Sequence, residues 1–164
     1  MAGGTAARSI LITGAPRALS LALAERLAGL PQASVITGGV ADDRDRNELA
    51  GITDLVHMDA VVDEPRFSAA SGAAVVKTNI VAAISLLKAL PALKRMYYVC
   101  GAGAEDDAGV PRTLCGLTQV AVENFFRLHA RRTGMSLLVH RLAGANDAEF
   151  TATDVDAVAK ALSR

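Results

Sequence analysis

Residues 9–30 read SILITGAPRALSLALAERLAGL, and this stretch decides the fold. Its first five residues form a short apolar run with β-branched side chains, which is typical of a buried strand. Gly14-Ala15-Pro16 follows at once as a tight turn, and residues 18–30 form a helical stretch. The sequence therefore predicts a strand, a sharp turn and a helix, the unit from which parallel α/β sheets are built.

Four more strands follow, alternating with helices. The strands are predicted at residues 34–37, 54–58, 95–100 and 136–141, and the helices at residues 47–50, 75–90, 114–133 and 154–163. The long helix of residues 75–90 stops at Pro91, which cannot continue a helix. This alternation implies an α/β fold with a mostly parallel sheet covered on both faces. Because 164 residues are too few for two ordinary domains, we predict a single domain over residues 1–164.

The composition narrows the choice of partners and compartment. Seventeen basic side chains balance seventeen acidic ones, so no global field would hold nucleic acid or an anionic membrane. No apolar run is expected to approach the roughly 18 to 20 residues that span a bilayer. Two separated cysteines, Cys100 and Cys115, and an N-terminus without a long apolar segment favour a reducing compartment. We therefore expect a cytoplasmic protein that binds neither nucleic acid nor membrane.

Six segments, taken in order, carry a resemblance to a known family. They are ILITGAPRALSLALAERLAG, TDLVHMDA, VVKTNIVAAISLLKAL, RMYYVCGAGA, PRTLCGLTQVAVENFFRLHARRTGMSLLVHRLAGA and TDVDAVAKAL, and together they make up more than half of the chain. Their order and spacing resemble the short-chain dehydrogenase/reductase superfamily, especially its extended branch of NAD-dependent epimerases and dehydratases. The resemblance implies a Rossmann-type, doubly wound sheet.

The chain is shorter than the members of that family in two places. Only 43 positions separate Thr13 from Val56, so about one β-α unit is predicted to be missing. If residues 35–40 are the equivalent of the third strand, the missing unit is the one that selects the adenine ribose. Residues 146–153 alone separate RLAGA from DVDAVAKAL, so the lobe that closes over the substrate in extended relatives is predicted to be absent.

The resemblance implies NAD(P) as the cofactor, bound at the turn after the first strand. Gly14 keeps the first glycine of the family pattern, whose backbone approaches the pyrophosphate. Ala18 and Ser20 replace the next two glycines, which weakens the predicted site. Arg17 either meets a phosphate or is simply solvated. Asp59 stands where relatives carry a small residue. Its carboxylate would repel a pyrophosphate, which argues against a dinucleotide. Alternatively, Asp59 supplies a catalytic acid or base, or it only caps a strand end.

The catalytic positions of the family are altered in this chain. The family is described as using a Ser or Thr, a Tyr, and a Lys four residues after the Tyr that assists its proton transfer. Aligning LCGLTQVAVEN on the family pattern YGxSKxxxEN places Cys115 at the tyrosine and Gln119 at the lysine, and Gly101 falls at the serine. Only Asn79 matches a family polar residue of the active-site helix. The usual proton relay cannot run, and Cys115 is either a nucleophile near a helix start or a small buried hydrophobe.

Three functions are consistent with these features. The first is a tailoring protein of bacterial secondary metabolism that cyclises, isomerises or dehydrates a small ketone-containing substrate. Its candidate polar groups are Cys115, Gln119, Asn79 and Asp59. The second is a non-catalytic subunit or scaffold that pairs with an intact relative. The third is an atypical NAD(P)H-dependent ketoreductase. The three histidines are isolated in sequence, and no spacing predicts a metal site.

The two long helices predict how the chain associates. Residues 75–90 and 114–133 correspond to the helix pair that forms the dimer interface in many members of the family, and their apolar content suits that use. We therefore expect a homodimer or a heterodimer through these helices. The same apolar side chains can instead be the layer that covers the sheet.

Overall fold

A computed structural model describes residues 8–14, 17–30, 33–37, 46–58, 69–101, 110–111, 113–142 and 152–162. The strands in these ranges are β1 (Arg8–Thr13), β2 (Ala33–Thr37), β3 (Asp54–Met58), β4 (Arg95–Gly101) and β5 (Ser136–Leu142). The helices are α1 (Arg17–Ala28), α2 (Arg46–Ala50), α3 (Ala69–Val76), α4 (Ala82–Ala89), α5 (Leu114–Thr133) and α6 (Ala152–Leu162). A turn of π-helix, Lys77–Val81, joins α3 to α4 and is called the π-turn below. The predicted alternation of strands and helices is confirmed.

The five strands form one parallel sheet in the order β2-β1-β3-β4-β5. This confirms the predicted doubly wound, Rossmann-type α/β fold. The order reverses between β1 and β3, where successive connections leave on opposite sides of β1. In sheets of this kind ligands bind beyond the carboxyl ends of the strands at the point of reversal. Thr13 and Met58, the last residues of β1 and β3, therefore mark the edge where a site is expected.

The position of β2 corrects one interpretation of the shortened chain. In the dinucleotide-binding order 3-2-1-4-5-6, the strand next to the first is the second. Ile10 of β1 pairs with Val35 of β2, so β2 takes the place of that second strand and not of the third. The described part of residues 35–40, residues 35–37, therefore lies at the position of the second strand and not of the third. Within the described ranges the sheet ends at β2, which puts the shortening at its outer edge.

Two apolar layers cover the sheet, because alternate residues of each strand point to opposite faces. The layer under α4 and α5 contains Leu11, Leu55, Leu86, Met96, Tyr98 and Phe126. The layer under α1 and α6 contains Ile10, Ile12, Leu23, Leu27, Val56, Val158 and Leu162. Burial of each large apolar side chain contributes about 1.5–3 kcal/mol before the entropy of ordering is subtracted. The strands are apolar on both faces because helices cover both.

The long helix predicted at residues 75–90 begins earlier and is interrupted by the π-turn. It runs from Ala69 to Ala89, and a π-turn widens the helix locally and shifts the face that the following residues present. The segment Gly72–Ala89 has a mean hydropathy of 1.4 and is long and apolar enough to cross a membrane by these two criteria. This corrects the expectation that no apolar run reaches that length. Core helices meet the same criteria, and 33% of this segment is buried in the fold.

Helix α5 spans its predicted residues and is held at both ends. The Thr113 side chain accepts a hydrogen bond from the Gly116 backbone N–H at 2.9 Å, which caps the first turn. Gly134 ends the helix in the left-handed conformation, with φ of 75°. A carboxylate oxygen of Glu123 lies 2.7 Å from the guanidinium of Arg141 and ties α5 to β5. The first turn of α5 is therefore capped, and the middle of the helix is attached to β5.

An ion cluster lies at the opposite, amino-terminal edge of the sheet. The Asp54 carboxylate is fully buried and lies 2.7 Å from Arg8 Nη2 and 2.8 Å from Arg95 Nε. Arg8 and Tyr97 also donate hydrogen bonds to the last carbonyls of α6. Those carbonyls carry the negative end of the helix dipole, which stabilises a nearby cation. The cluster therefore attaches the end of α6 to the starts of β1, β3 and β4.

Candidate functional site

A chain of contacts connects the carboxyl end of β1 to the start of α5. The Thr13 hydroxyl and His57 Nδ1 are hydrogen-bonded at 2.8 Å, and the His57 ring is stacked with the Tyr98 ring. The Tyr98 hydroxyl donates to the Gln119 carbonyl at 3.3 Å, and the Gln119 side chain reaches the Cys115 sulfur. The structure thus brings together two of the residues predicted from the family pattern.

The turn after β1 requires its glycine. Gly14 has φ of 83°, and a Cβ built on it would lie 1.8 Å from the carbonyl oxygen of Met58. The close approach that excludes a side chain is therefore made to β3. Helix α1 begins at Arg17, and Ala18 stands in its first turn, but the side chains of both lie outside the described part of the structure. A left-handed turn followed by a helix start fits the backbone requirements of a pyrophosphate site.

His57 is a buried, neutral imidazole. Besides Thr13 and Tyr98 it meets Phe126 edge to face, with ring centroids 5.9 Å apart. Burial lowers the pKa of His57 from 6.5 to about 4, because the charged form loses its hydration. The ring is therefore uncharged near neutral pH. It packs the end of β3 against α5 and fixes Thr13 by a hydrogen bond.

The burial of His57 predicts a loss of stability in mild acid. The unfolded chain binds a proton near pH 6.5 and the folded chain only near pH 4, so the stabilisation is complete above the first value and is lost as the pH falls towards the second. Between about pH 7 and about pH 5 this group should lower the free energy of unfolding by about 2 kcal/mol, measured by urea unfolding. His57→Asn should remove this part of the pH dependence, whereas His129→Asn, at a half-buried position of α5, should keep it. Equal pH slopes for wild type and His57→Asn would contradict the assignment.

Cys115 and Gln119 form the central pair of the site. Cys115 lies in the first turn of α5 and is half-exposed, and Gln119 lies one turn later and is 5% exposed. Gln119 Nε2 donates to Cys115 Sγ at 3.7 Å. Residues four apart lie on one helix face, which is the spacing that joins Tyr and Lys in the family. In this chain the same spacing joins a thiol to an uncharged amide.

Asn79 lies in the middle of the π-turn and is buried against α5. Its side-chain amide donates to the Thr118 hydroxyl at 2.8 Å, and that hydroxyl donates to the Cys115 carbonyl at 2.8 Å. The amide of Asn79 therefore supports the start of α5. Sequence reasoning did not find Thr118, because a threonine inside a predicted helix gives no signal until its neighbour across the interface is known.

Neither tyrosine replaces the missing phenol. The chain has two tyrosines. The Tyr97 hydroxyl donates to the Ala161 carbonyl at 3.1 Å, at the amino-terminal edge of the sheet. Tyr98 is fully buried, and its hydroxyl is used by the Gln119 carbonyl. Both phenols therefore donate to backbone carbonyls of helices, Tyr97 to α6 and Tyr98 to α5.

Two further predictions concern Asp59 and metal ions. Asp59 follows β3 directly but lies outside the described residues. Gly101, aligned with the family serine, is the last residue of β4. Across the described ranges, no group of three or more His, Cys, Asp or Glu side chains could hold a metal ion.

Comparison with solved structures identifies the fold. No protein-family model and no curated protein matches the sequence. A short-chain dehydrogenase/reductase superfamily protein from Agrobacterium tumefaciens with bound NAD is 19% identical over 82% of this chain and 48% of its own, with a TM-score of 0.61. A UDP-glucuronic acid 4-epimerase from Bacillus cereus in complex with NAD is 15% identical over 81% of this chain and 56% of its own, also with a TM-score of 0.61. The chain therefore spans about half the length of these two proteins.

A third structure is similar in size as well as in fold. It is an oxidoreductase (short chain dehydrogenase/reductase) from Brucella ovis, 18% identical over 94% of this chain and 91% of its own, with a TM-score of 0.68. The oxidoreductase of that family from the same organism has also been solved in complex with a partially ordered NAD.

The similarity to these solved structures and the parallel sheet together define the fold class of this chain. The chain has the fold of short-chain dehydrogenases/reductases and NAD-dependent epimerases. The resemblance inferred from the sequence is confirmed for the fold. At these identities the likeness describes the fold and not the reaction.

Proposed function

We propose that this protein derives from the short-chain dehydrogenase/reductase superfamily and transforms a small ketone-containing molecule without hydride transfer. The reaction is an isomerisation, cyclisation or dehydration, and its setting is a tailoring step of bacterial secondary metabolism in the cytoplasm. The observation that carries the proposal is the 3.7 Å contact between the Cys115 sulfur and the Gln119 amide nitrogen. The family pattern has its Tyr and Lys at the aligned positions, and neither side chain here can replace its counterpart.

The environment of Cys115 supports a role for its sulfur as a base. The thiol lies in the first turn of a 20-residue helix, where backbone amides and the helix dipole favour an anion. The Gln119 amide donates a hydrogen bond to the same sulfur, and a hydrogen bond to the charged form favours that form. Cys115 is half-exposed, as access of a substrate to this residue requires.

The three reaction classes share a first step that a thiolate can perform. The Cys115 thiolate takes a proton from the carbon next to the ketone, and the electron pair of that C–H bond moves onto the ketone oxygen as an enolate. In a β,γ-unsaturated ketone the enolate is conjugated, and return of the proton to its γ-carbon moves the double bond and gives an isomer. Attack of the enolate carbon on a second carbonyl of the substrate closes a ring, and the resulting alkoxide takes the proton back from the Cys115 thiol. Departure of a β-hydroxyl group, protonated by the Cys115 thiol, releases water.

Asn79 and Asp59 take different parts in this proposal. The Asn79 amide is committed to Thr118, so it holds the site in place. Asp59 directly follows β3, a strand that ends at the edge where such sheets bind ligands. We assign Asp59 as the second acid or base, which delivers or removes the proton that Cys115 does not handle.

Exchange of carbon-bound protons in D2O tests the proposal. The protein is incubated with a panel of 1,3-diketones and β-hydroxyketones, and loss of the α-proton signal is followed by NMR. Wild type should accelerate exchange of at least one compound over buffer, and Cys115→Ser should lower that rate by about 100-fold or more, as expected for loss of a general base. Cys100→Ser is the matched control, because Cys100 is buried at the end of β4. Equal rates for Cys115→Ser and wild type would refute the role of the thiol.

An atypical NAD(P)H-dependent ketoreductase is the third function consistent with the sequence. It is supported by the left-handed turn at Gly14 before α1 and by the NAD found in structures of the same fold. Arg17 and the backbone at Ala18 would meet the pyrophosphate, and a bound NAD(P)H would supply a hydride. At saturating concentration a dinucleotide that binds the folded state raises the melting temperature. An unchanged melting temperature with every dinucleotide excludes this alternative.

A non-catalytic subunit is the second function consistent with the sequence, and exposed apolar side chains on the two long helices favour it. Val76 and Val81 on the long helix and Leu117 and Leu128 on α5 are each between 39% and 54% exposed. We propose that a second copy or an intact relative covers these side chains, through the helices predicted at residues 75–90 and 114–133. Co-purification with an intact relative favours the subunit function, whereas an active preparation of this chain alone excludes it.

A further inference from the structure

The Thr118 hydroxyl joins the π-turn to the start of α5. It lies 2.8 Å from Asn79 Nδ2 and 2.8 Å from the Cys115 carbonyl oxygen, and Thr118 is buried. A hydroxyl has one hydrogen, and a carbonyl can only accept, so the Thr118 hydrogen is used by Cys115. Asn79 must then present its NH2 group to Thr118. These three groups therefore have one consistent hydrogen-bonding arrangement.

The π-turn gives this contact its geometry. A π-turn departs from regular α-helical hydrogen bonding, and such turns occur mostly as single turns inside α-helices, frequently at functional sites. Asn79 lies at the centre of the π-turn and is 2% exposed. Its amide donates a hydrogen bond to Thr118, which lies 39 positions further along the chain. Removing the Thr118 oxygen would leave a buried amide donor without its partner, which is costly.

Gln119, the next residue, is held from a second direction. The Tyr98 hydroxyl donates to the Gln119 backbone carbonyl, while the Gln119 side chain donates to the Cys115 sulfur. Thr118 anchors the Cys115 carbonyl, and Tyr98 anchors the Gln119 carbonyl. Both residues of the thiol–amide pair are thus connected, through backbone atoms, to elements outside α5.

We propose that Thr118 is a positioning residue that, together with Asn79, holds the Gln119 amide on the Cys115 sulfur and thereby sets the reactivity of the thiol. The catalytic meaning of this inference rests on the proposed function, but the effect on the thiol does not. Thr118 acts on the sulfur only through the backbone and the neighbouring amide.

Alkylation of Cys115 by iodoacetamide, followed by mass spectrometry across pH, measures this effect. Thr118→Val keeps the shape of the side chain and removes the hydroxyl, and it should lower the alkylation rate near neutral pH about threefold or more, with the profile moved to higher pH. Thr118→Ser restores a hydroxyl and should return the profile towards wild type. Cys115→Ser gives the background from Cys100, and melting curves verify that each variant is folded.

A double-mutant cycle tests whether Thr118 acts through the amide. Gln119→Leu removes the donor to the sulfur, and adding Thr118→Val to it should produce no further change in the alkylation profile. Asn79→Ala, at the other end of the same hydrogen-bond chain, should shift the profile in the same direction and serves if Thr118→Val fails to fold. A wild-type profile in Thr118→Val, or additive effects in the double variant, would overturn the inference. If the D2O assay showed no exchange with any ketone, the proposed function would fail. The alkylation measurements would still test the role of Thr118.

Discussion

Asp54→Asn is expected to destabilise the fold by about 3 kcal/mol, because it leaves two guanidinium groups facing a neutral amide. The carboxylate is fully buried and contacts both Arg8 and Arg95, and Thr53 donates a hydrogen bond to it at 2.7 Å. The expected value lies at the low end for a broken buried ion pair, since the Arg95 side chain is 32% exposed and partly hydrated. Urea unfolding monitored by circular dichroism measures it.

The matched control is a second Asp–Arg pair on the same face of the sheet. Asp156 of α6 and Arg26 of α1 lie 2.8 Å apart, but both side chains are more than half exposed. Asp156→Asn should change stability by no more than about 0.5 kcal/mol, since solvent screens an exposed pair. Similar losses for Asp54→Asn and Asp156→Asn would show that the buried cluster does not hold α6.

Gly14→Ala is expected to cost about 2–5 kcal/mol, combining a left-handed backbone with severe overpacking. The added methyl group would lie 1.8 Å from the Met58 carbonyl oxygen, so β1 and β3 would have to separate at the edge of the site. Because Met58 contributes a backbone atom, no side-chain rotation relieves the contact. The change in the free energy of unfolding is measured as for Asp54.

Gly134→Ala separates the backbone contribution from the overpacking contribution to the cost of Gly14→Ala. Gly134 also has a positive φ, of 75°, but a Cβ there meets nothing within 4 Å. Its replacement should cost only the backbone term, about 1–2 kcal/mol. If Gly14→Ala were no more damaging than Gly134→Ala, the close approach between the turn and β3 would not be a constraint on the fold.

Strand and helix types were predictable because each has a local cause. The apolar run before Gly14, Pro91 after the long helix and the Thr113 cap of α5 all act within a few neighbouring residues. The π-turn was not predictable, because regular helical spacing on either side hides the extra residue within it. The place of β2 beside β1 was also inaccessible, since strand order depends on contacts between distant segments.

The candidate site was predictable only where a family pattern fixed the spacing. The separation of four residues between Cys115 and Gln119 follows from that pattern, and the structure shows the two side chains in contact. Thr118 and the Asp54 cluster escaped notice, because each depends on partners far along the chain. A lone threonine or aspartate carries no sign of such partners in the sequence.

In the proposed function the parallel sheet, the tight turn at Gly14 and the helix pair hold the site, and the groups that handle the proton are the ones that differ from the family pattern. A hydride acceptor in the family needs a phenol and an ammonium group to supply a proton to the carbonyl oxygen. A thiol beside an amide is suited instead to removing a proton from carbon.

Chemistry without hydride transfer is tested most directly by the mass of the ketone after incubation in D2O with and without NADPH. We expect the wild-type protein to add deuterium at the carbon next to the carbonyl at the same rate in both reactions, with no NADPH consumed. A product that appears only with NADPH, reduced at the carbonyl and formed as the dinucleotide is oxidised, would contradict it.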